Sequence, residues 1–203
     1  LVEQQQLINL LKQYPLSKTE KILNRLTDQL LNGQLDQGIS LELGETIGAS
    51  GSEPLAKKFA GYKATNYYVD LEFGGNANRG RQIFFNNSSA ECVRCHVVNG
   101  QGGEVGPDLS NIGNILDRKQ LVEALVNPSA RLAPGYGMVV LNLTDGSTVS
   151  GILMAENESE LTLKTAEPEP LYIPVGRISN RTSVPSSMPD MSAILSRHDL
   201  RDL

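Results

Sequence analysis

Cysteine and histidine are scarce in this chain of 203 residues, with two of each. The cysteines, Cys92 and Cys95, stand three positions apart, which excludes a framework of disulfide staples. Long apolar runs are also missing, and nothing approaches the roughly 20 residues that cross a bilayer. Positive charge is scattered, and the net charge is −5. There is no basic stripe of the kind that binds nucleic acid and no polybasic run of the kind that binds an anionic membrane. The chain begins at Leu1, without a methionine or a charged-then-apolar leader, and stops at Leu203 inside what reads as a helix. It is therefore expected to be a piece of a longer protein. Within it, 39% apolar and 20% charged residues describe an ordinary globular chain. The length suffices for one well-packed domain and a smaller companion.

The pattern of residues reads as mainly α with an inserted β meander. Residues 1–63 read as a small helical, α-solenoid-like segment. Leu7, Ile8, Leu10 and Leu11 offer an apolar face, and Ser17 with Glu20 fits a capping box ahead of Ile22, Leu23, Leu26, Leu30 and Leu31. Gly33 suits the end of that helix, and two shorter helices follow near 41–49 and 53–63. Residues 64–75 read as a linker. From residue 76 to 203 a second domain is expected. It opens with a helix near Asn76 or Asn78, and Asp117 with Gln120 caps another that ends near Asn127-Pro128. Alternation through Val139, Leu141 and Leu143 into Asp145-Gly146, then Val149, Gly151, Leu153, Leu161, Leu163, Leu171, Ile173 and Val175, predicts four antiparallel strands over 137–178. This insertion is expected to be dispensable for the chemistry, because the preferred ligands lie outside it. Ser196 and Asp199 suit the cap of a last helix.

The chemistry lies in Cys92-Val93-Arg94-Cys95-His96. C-x-x-C-H reads as attachment of a c-type haem. Two thiols at this spacing reach the two vinyl groups of one porphyrin, and the adjacent histidine supplies a proximal nitrogen to the iron. A thioredoxin-like pair would need a βαβ context, and structural zinc would need a second ligand pair. Neither is visible. Gly106-Pro107-Asp108-Leu109 follows the histidine, and a metal-bound histidine normally donates its other ring N–H to a carbonyl, which points to Pro107. A sixth ligand is sought among Met138, Met154, Met188, Met191 and His198. Met138 and Met154 fall in strands and suit core packing, while His198 suits a solvent-facing place on the last helix. Met188, between Pro185 and Pro189 in a turn-rich loop, is preferred, and Met191 is its rival. Phe84, Leu109, Ile112, Leu121, Leu125 and Ile194 are candidates for the apolar haem pocket.

Residues from about Gly75 onward resemble the haem-binding cytochrome c domain at the C-terminus of large secreted dehydrogenase-like proteins of the Planctomycetes and Verrucomicrobia. The likeness lies in Gly80 with Ile83-Phe84, CVRCH at 92–96 and GGEVGPDLSNIG at 102–113. It continues in NPSARLAPGY at 127–136, DGSTVSGIL at 145–153, SSMP at 186–189 and the terminal HDLRDL. The resemblance implies a class I cytochrome c fold with a β insertion, and His96 and Met188 as axial ligands. It also implies that helical repeats precede the domain.

Together these readings predict electron transfer by one covalent haem c, with no residue acting as acid, base or nucleophile. The domain itself is therefore not expected to be an enzyme. Partners would be redox proteins or domains, with a dehydrogenase domain as donor and another cytochrome or an oxidase as acceptor. Maturation would take place outside the cytoplasm, in the periplasm or on secretion, in a bacterium. A haem-based sensor, in which the sixth ligand leaves and a small molecule binds, is the other class the residues allow.

Overall fold

Proline governs the first helices. In the computed structural model, which describes residues 1–63 and 68–203, α1 spans Val2–Leu10 and runs into a 3-10 turn at Leu11–Gln13. Tyr14, preceding a proline, is extended, and Pro15 is extended too, so the chain breaks before α2, Leu16–Leu31. The capping box expected at Ser17 and Glu20 does not form. Pro15 holds the N-cap position with no side-chain cap, and Ser17 falls inside the first turn. The apolar face expected on α1 is also narrower. Ile8 is buried and Leu11 packs beside it, whereas Leu7 and Leu10 are exposed. Neighbours in sequence lie about 100° apart around a helix, so a narrow contact takes only one of each pair.

The chain forms two compact units. One comprises Leu1–Cys92, Gly113–Val122 and Met191–Leu203; the other comprises Val93–Ile112 and Glu123–Asp190. They divide the chain elsewhere than the 1–63, 64–75 and 76–203 boundaries expected from sequence. Of the expected linker, residues 64–67 lie outside the described residues, and Val69–Leu71 forms a 3-10 turn.

In the first unit, α3 (Ser40–Ser50) and α4 (Glu53–Ala60) pack on α1 and α2 around Ile8, Leu23, Leu30, Leu43, Ile47, Leu55 and Phe59. Thr27 is also buried on α2, and its hydroxyl donates to the Leu23 carbonyl at 2.7 Å, so its burial leaves no unmet donor. Helix α5, Ala77–Asn86, starts at Asn76, whose side chain accepts from the N–H groups of Asn78 and Arg79. It crosses α8, Arg197–Asp202, so closely at Gly80 that a Cβ there would run into the Asp202 carbonyl. The expected capping box of Ser196 and Asp199 starts α8.

Charged groups tie α8 into the unit. Arg201 pairs with buried Glu42 at 2.8 Å, Arg197 with buried Asp70 at 2.5 Å, and Arg79 with Asp199 at 2.6 Å. His198, expected to face solvent, is instead half-buried, with Nε2 3.0 Å from Glu45 Oε1. Residues three and four apart on a helix share a face, so Arg197, His198 and Arg201 all turn toward acidic partners.

The second unit is built on a sheet. Strands β1 (Val97–Val98) and β2 (Gln101–Gly102) form a small hairpin. Helix α7, Arg118–Val126, carries the expected reciprocal cap, Gln120 N–H to Asp117 Oδ1 at 2.8 Å and Asp117 N–H to Gln120 Oε1 at 3.0 Å, and its last turns enter this unit. Five antiparallel strands follow: β3 Gly137–Leu143, β4 Thr148–Glu156, β5 Glu160–Lys164, β6 Leu171–Pro174 and β7 Ile178–Ser183, in the order β6-β5-β4-β3-β7. The inner face is Val139, Leu141, Leu143, Leu161, Leu163 and Ile173.

Three expectations are corrected here. The sheet has a fifth strand and runs to Ser183, beyond the four strands of 137–178. Strand β7 pairs with β3, but apart from Ile178 it is polar and exposed, so it carries no alternating apolar signal. Met138 and Met154 are not core residues, being 48% and 41% exposed. With Val139, Leu141 and Leu143 turned inward, period two turns Met138 outward, and Met154 sits where the β4–β5 register shifts. With 46% helix and 18% strand the fold is mixed rather than mainly α.

Arg201→Ala would leave the Glu42 carboxylate buried without its guanidinium. It is expected to cost about 3–5 kcal/mol in denaturant unfolding followed by far-UV circular dichroism, while the double replacement Glu42→Leu with Arg201→Met costs far less. A loss below about 1 kcal/mol for the single variant would show that the pair is solvated.

Candidate functional site

One helical turn, α6 (Cys92–Cys95), carries both cysteines. The approach to it is set by Asn87, whose side-chain oxygen accepts from the N–H groups of Ser89 and Ala90, both at 2.9 Å. Positions three apart on a helix are neighbours on one face, so the two sulfurs can reach one partner. Neither is in a disulfide, and both are half-buried.

After His96 the chain makes the β1–β2 hairpin through Asn99-Gly100, with φ of 51° and 75°. Positive φ at both central residues is the hairpin turn that Asn-Gly favours. The segment that follows then lies back along the Cys-His stretch. Gly103 N–H donates to the Val93 carbonyl at 2.9 Å, Gly106 N–H to the Cys95 carbonyl at 2.7 Å, and Leu109 N–H to the Val97 carbonyl at 2.8 Å. Ser110 secures its far end. The Ser110 hydroxyl accepts from Asn99 N–H at 2.8 Å and donates to Asp108 Oδ1 at 2.5 Å. That hydroxyl, with the Ser110 N–H, holds the Asp108 carboxyl below its usual range.

This return brings the Pro107 carbonyl to 2.9 Å from His96 Nδ1. A carbonyl can only accept, so Nδ1 carries the proton and Nε2 keeps its lone pair. Gly106 lies flat against the ring: a Cβ there would be 2.6 Å from His96 Cε1 and 2.8 Å from Nδ1. The imidazole is thus fixed in tautomer by one residue and in position by its neighbour.

The other predicted residues divide between the units. Leu109 and Ile112 share the second unit with His96 and are half-buried. Phe84 and Leu121 are half-buried in the first unit, Leu125 is half-buried in the second, and Ile194 is 38% exposed in the first. Met188 lies half-buried in the loop after β7, within the second unit. Met191 is 2% exposed in a 3-10 turn of the first unit, and His198 Nε2 is taken by Glu45.

Two thiols one turn apart, beside an imidazole with its Nδ1–H engaged and Nε2 available, match the donor set of a covalently held haem. Among the described residues there is no group of three His, Cys, Asp or Glu placed to hold a bare metal ion. Residues 77–145 match the family model for cytochrome c. The match supports a cytochrome c haem-binding domain over this stretch. Such a domain binds haem c covalently, transfers electrons through it, and works with redox partners. No curated protein matches the chain. The matched stretch begins at the first residue of α5 and ends in the β3–β4 turn, so it contains CVRCH, Pro107 and Leu109 and stops well before Met188.

Three features of the cytochrome c domain escaped the reading of the sequence. The Asn99-Gly100 dipeptide is a hairpin signal that the strands expected from alternation do not include. Gly106 was noted only as part of the motif around Pro107, although its missing side chain is what admits the ring. Ser129, which meets the Met188 loop, has no sequence signal at all.

Gly106→Ala is expected to push the His96 ring off its place, at about 1–3 kcal/mol of stability for the overpacking. It should also alter the ferric absorption spectrum of the haem-loaded protein. A spectrum identical to that of the unaltered protein would mean that the ring does not rest on residue 106.

Proposed function

We propose that this chain is a single-haem electron-transfer module with His96 and Met188 as axial ligands and thioether links through Cys92 and Cys95. The observation that carries the reading is the hydrogen bond from His96 Nδ1–H to the Pro107 carbonyl at 2.9 Å. It commits the ring to one tautomer and leaves Nε2 as the ligating nitrogen, in the residue directly after the cysteine pair. Bound haem supplies one-electron exchange between ferric and ferrous iron. The chain's own part is to hold. The cysteines tether, and the Pro107 carbonyl holds the His96 ring in one tautomer and orientation.

Met188 is supported as the second ligand by elimination and by setting. Met138 and Met154 are turned outward on the sheet, Met191 is 2% exposed in a 3-10 turn, and His198 is engaged by Glu45. Met188 alone of these stands in a half-buried loop of the unit that holds His96. A thioether is soft and neutral and raises the potential relative to a second histidine, which suits an acceptor of electrons from a dehydrogenase. We assign that donor to another domain of a larger, dehydrogenase-like parent of the Planctomycete and Verrucomicrobia kind, and the acceptor to a further cytochrome or an oxidase. The domain is not itself an enzyme on this reading, since no acid, base or nucleophile is needed. Cytochrome c domains are typically extracytoplasmic in bacteria, and we place maturation there. No helix among the described residues is long and apolar enough to cross a membrane.

Two measurements test the proposal. Mass spectrometry of the denatured holoprotein should give the chain plus one haem, and Cys92→Ala with Cys95→Ala should yield no covalent adduct. Haem extracted by acidic butanone from the unaltered protein would overturn the attachment.

For the ligand, Met188→Ala should lose the far-red ferric band of an iron–sulfur bond and fall in midpoint potential by on the order of 100 mV, within the range axial ligands command. Met191→Ala should keep the band. The reverse pattern would transfer the role to Met191.

A further inference from the structure

The loop that carries Met188 is held at two places outside itself, both within the second unit. At its root, Val184 N–H donates to the Met138 carbonyl at 2.9 Å, which continues the pairing of β7 with β3 by one residue. Two residues on, Ser186 N–H donates to the hydroxyl of Ser129 at 3.0 Å. Ser186 then passes the restraint forward, because its own hydroxyl accepts from Met188 N–H at 3.1 Å. Two consecutive hydrogen bonds therefore run from a side chain after α7 to the backbone of the methionine.

Ser129 is itself held in place. Asn127 N–H continues the helix to the Glu123 carbonyl at 2.7 Å, and Ala130 N–H closes a turn onto the Asn127 carbonyl at 2.9 Å. Pro128 occupies the second position of that turn, where its fixed φ is already correct, and Ser129 the third. A hydroxyl on a proline-stiffened turn meets its partner at little entropic cost. The loop has stiffening prolines of its own, Pro185 and Pro189, but prolines restrict conformation without fixing a loop against its surroundings. The bonds to Met138 and Ser129 do that.

We propose that Ser129 is a positioning residue for the axial methionine: its hydroxyl anchors Ser186, and Ser186 sets the backbone of Met188. This rests on Met188 being the sixth ligand. It also revises the expectation that the sheet is dispensable, because β7 leads directly into the loop and Met138 of β3 holds its root.

The mechanism has a measurable consequence. An external ligand that replaces a protein ligand binds with an apparent affinity set by how often the iron position is vacated. Loosening the loop by one net hydrogen bond should therefore strengthen such binding by about three- to tenfold. Imidazole is the probe, titrated into the ferric, haem-loaded full chain carrying Ser129→Ala, Ser129→Thr or Met188→Ala. Ser129→Ala should bind imidazole about three- to tenfold more tightly than the unaltered protein, with a weaker far-red band and unchanged far-UV circular dichroism. Ser129→Thr, which keeps the hydroxyl, should restore both readings. A merely structural role would lower the melting temperature and leave imidazole affinity alone. If Met188→Ala loses the band while Ser129→Ala matches the unaltered protein, the ligand assignment stands and the role of Ser129 falls. If Met188→Ala keeps the band, the assignment itself falls.

Discussion

The hydrogen bond from His96 Nδ1–H to the Pro107 carbonyl is the constraint on which the site depends. An imidazole has two nitrogens and, when neutral, one proton between them. Giving that proton a backbone acceptor decides which nitrogen meets a metal and which way the ring turns. The rest of the segment from Val97 to Ser110 serves this contact. Asn99-Gly100 reverses the chain, three backbone hydrogen bonds lay the return strand alongside, Gly106 allows it to touch the ring, and Asp108 with Ser110 closes it. A site arranged in this way presents the histidine in one tautomer and one orientation.

The two compact units hold their parts together by different physics. The first relies on apolar helix packing, to which α8 is added by the ion pairs of Arg201 with Glu42 and Arg197 with Asp70 and by the contact of His198 with Glu45. Buried pairs of this kind add less stability than their Coulomb attraction suggests, because both ions lose water, but they strongly penalise any arrangement that separates them. The second unit relies on a single apolar face of a five-stranded sheet, and its remaining elements are short and bonded by turns. Its chemistry-bearing segments, 93–112 and 184–190, have almost no regular structure of their own. Each is held by hydrogen bonds to neighbouring backbone or to hydroxyls on rigid turns.

Much of this was legible in the sequence where one residue type has one physical use. C-x-x-C-H identifies the attachment chemistry because the spacing and the following histidine serve few other purposes, and the family match over residues 77–145 agrees with it. Asn76, Asp117 with Gln120, and Ser196 with Asp199 all cap helices as their side chains predict. Alternation identified β3, β4, β5 and most of β6. It failed for β7, whose polar residues sit at a sheet edge, and it misplaced Met138 and Met154, whose apolar character was taken for burial although their parity opposes it. The capping box at Ser17 failed because Pro15 stops the chain two residues earlier.

The residue types thus determined the attachment motif, the helix caps, the hairpin at Asp145-Gly146 and the candidate ligands, since each depends on contacts within a few residues. The tertiary structure alone decided that His198 turns to Glu45, that Met191 is buried while Met188 lies in a half-buried loop, and that Ser129 meets Ser186. Those outcomes depend on groups up to 153 positions apart, Glu45 to His198 being the longest. No local propensity or spacing encodes such a meeting, because it exists only once the intervening elements have packed.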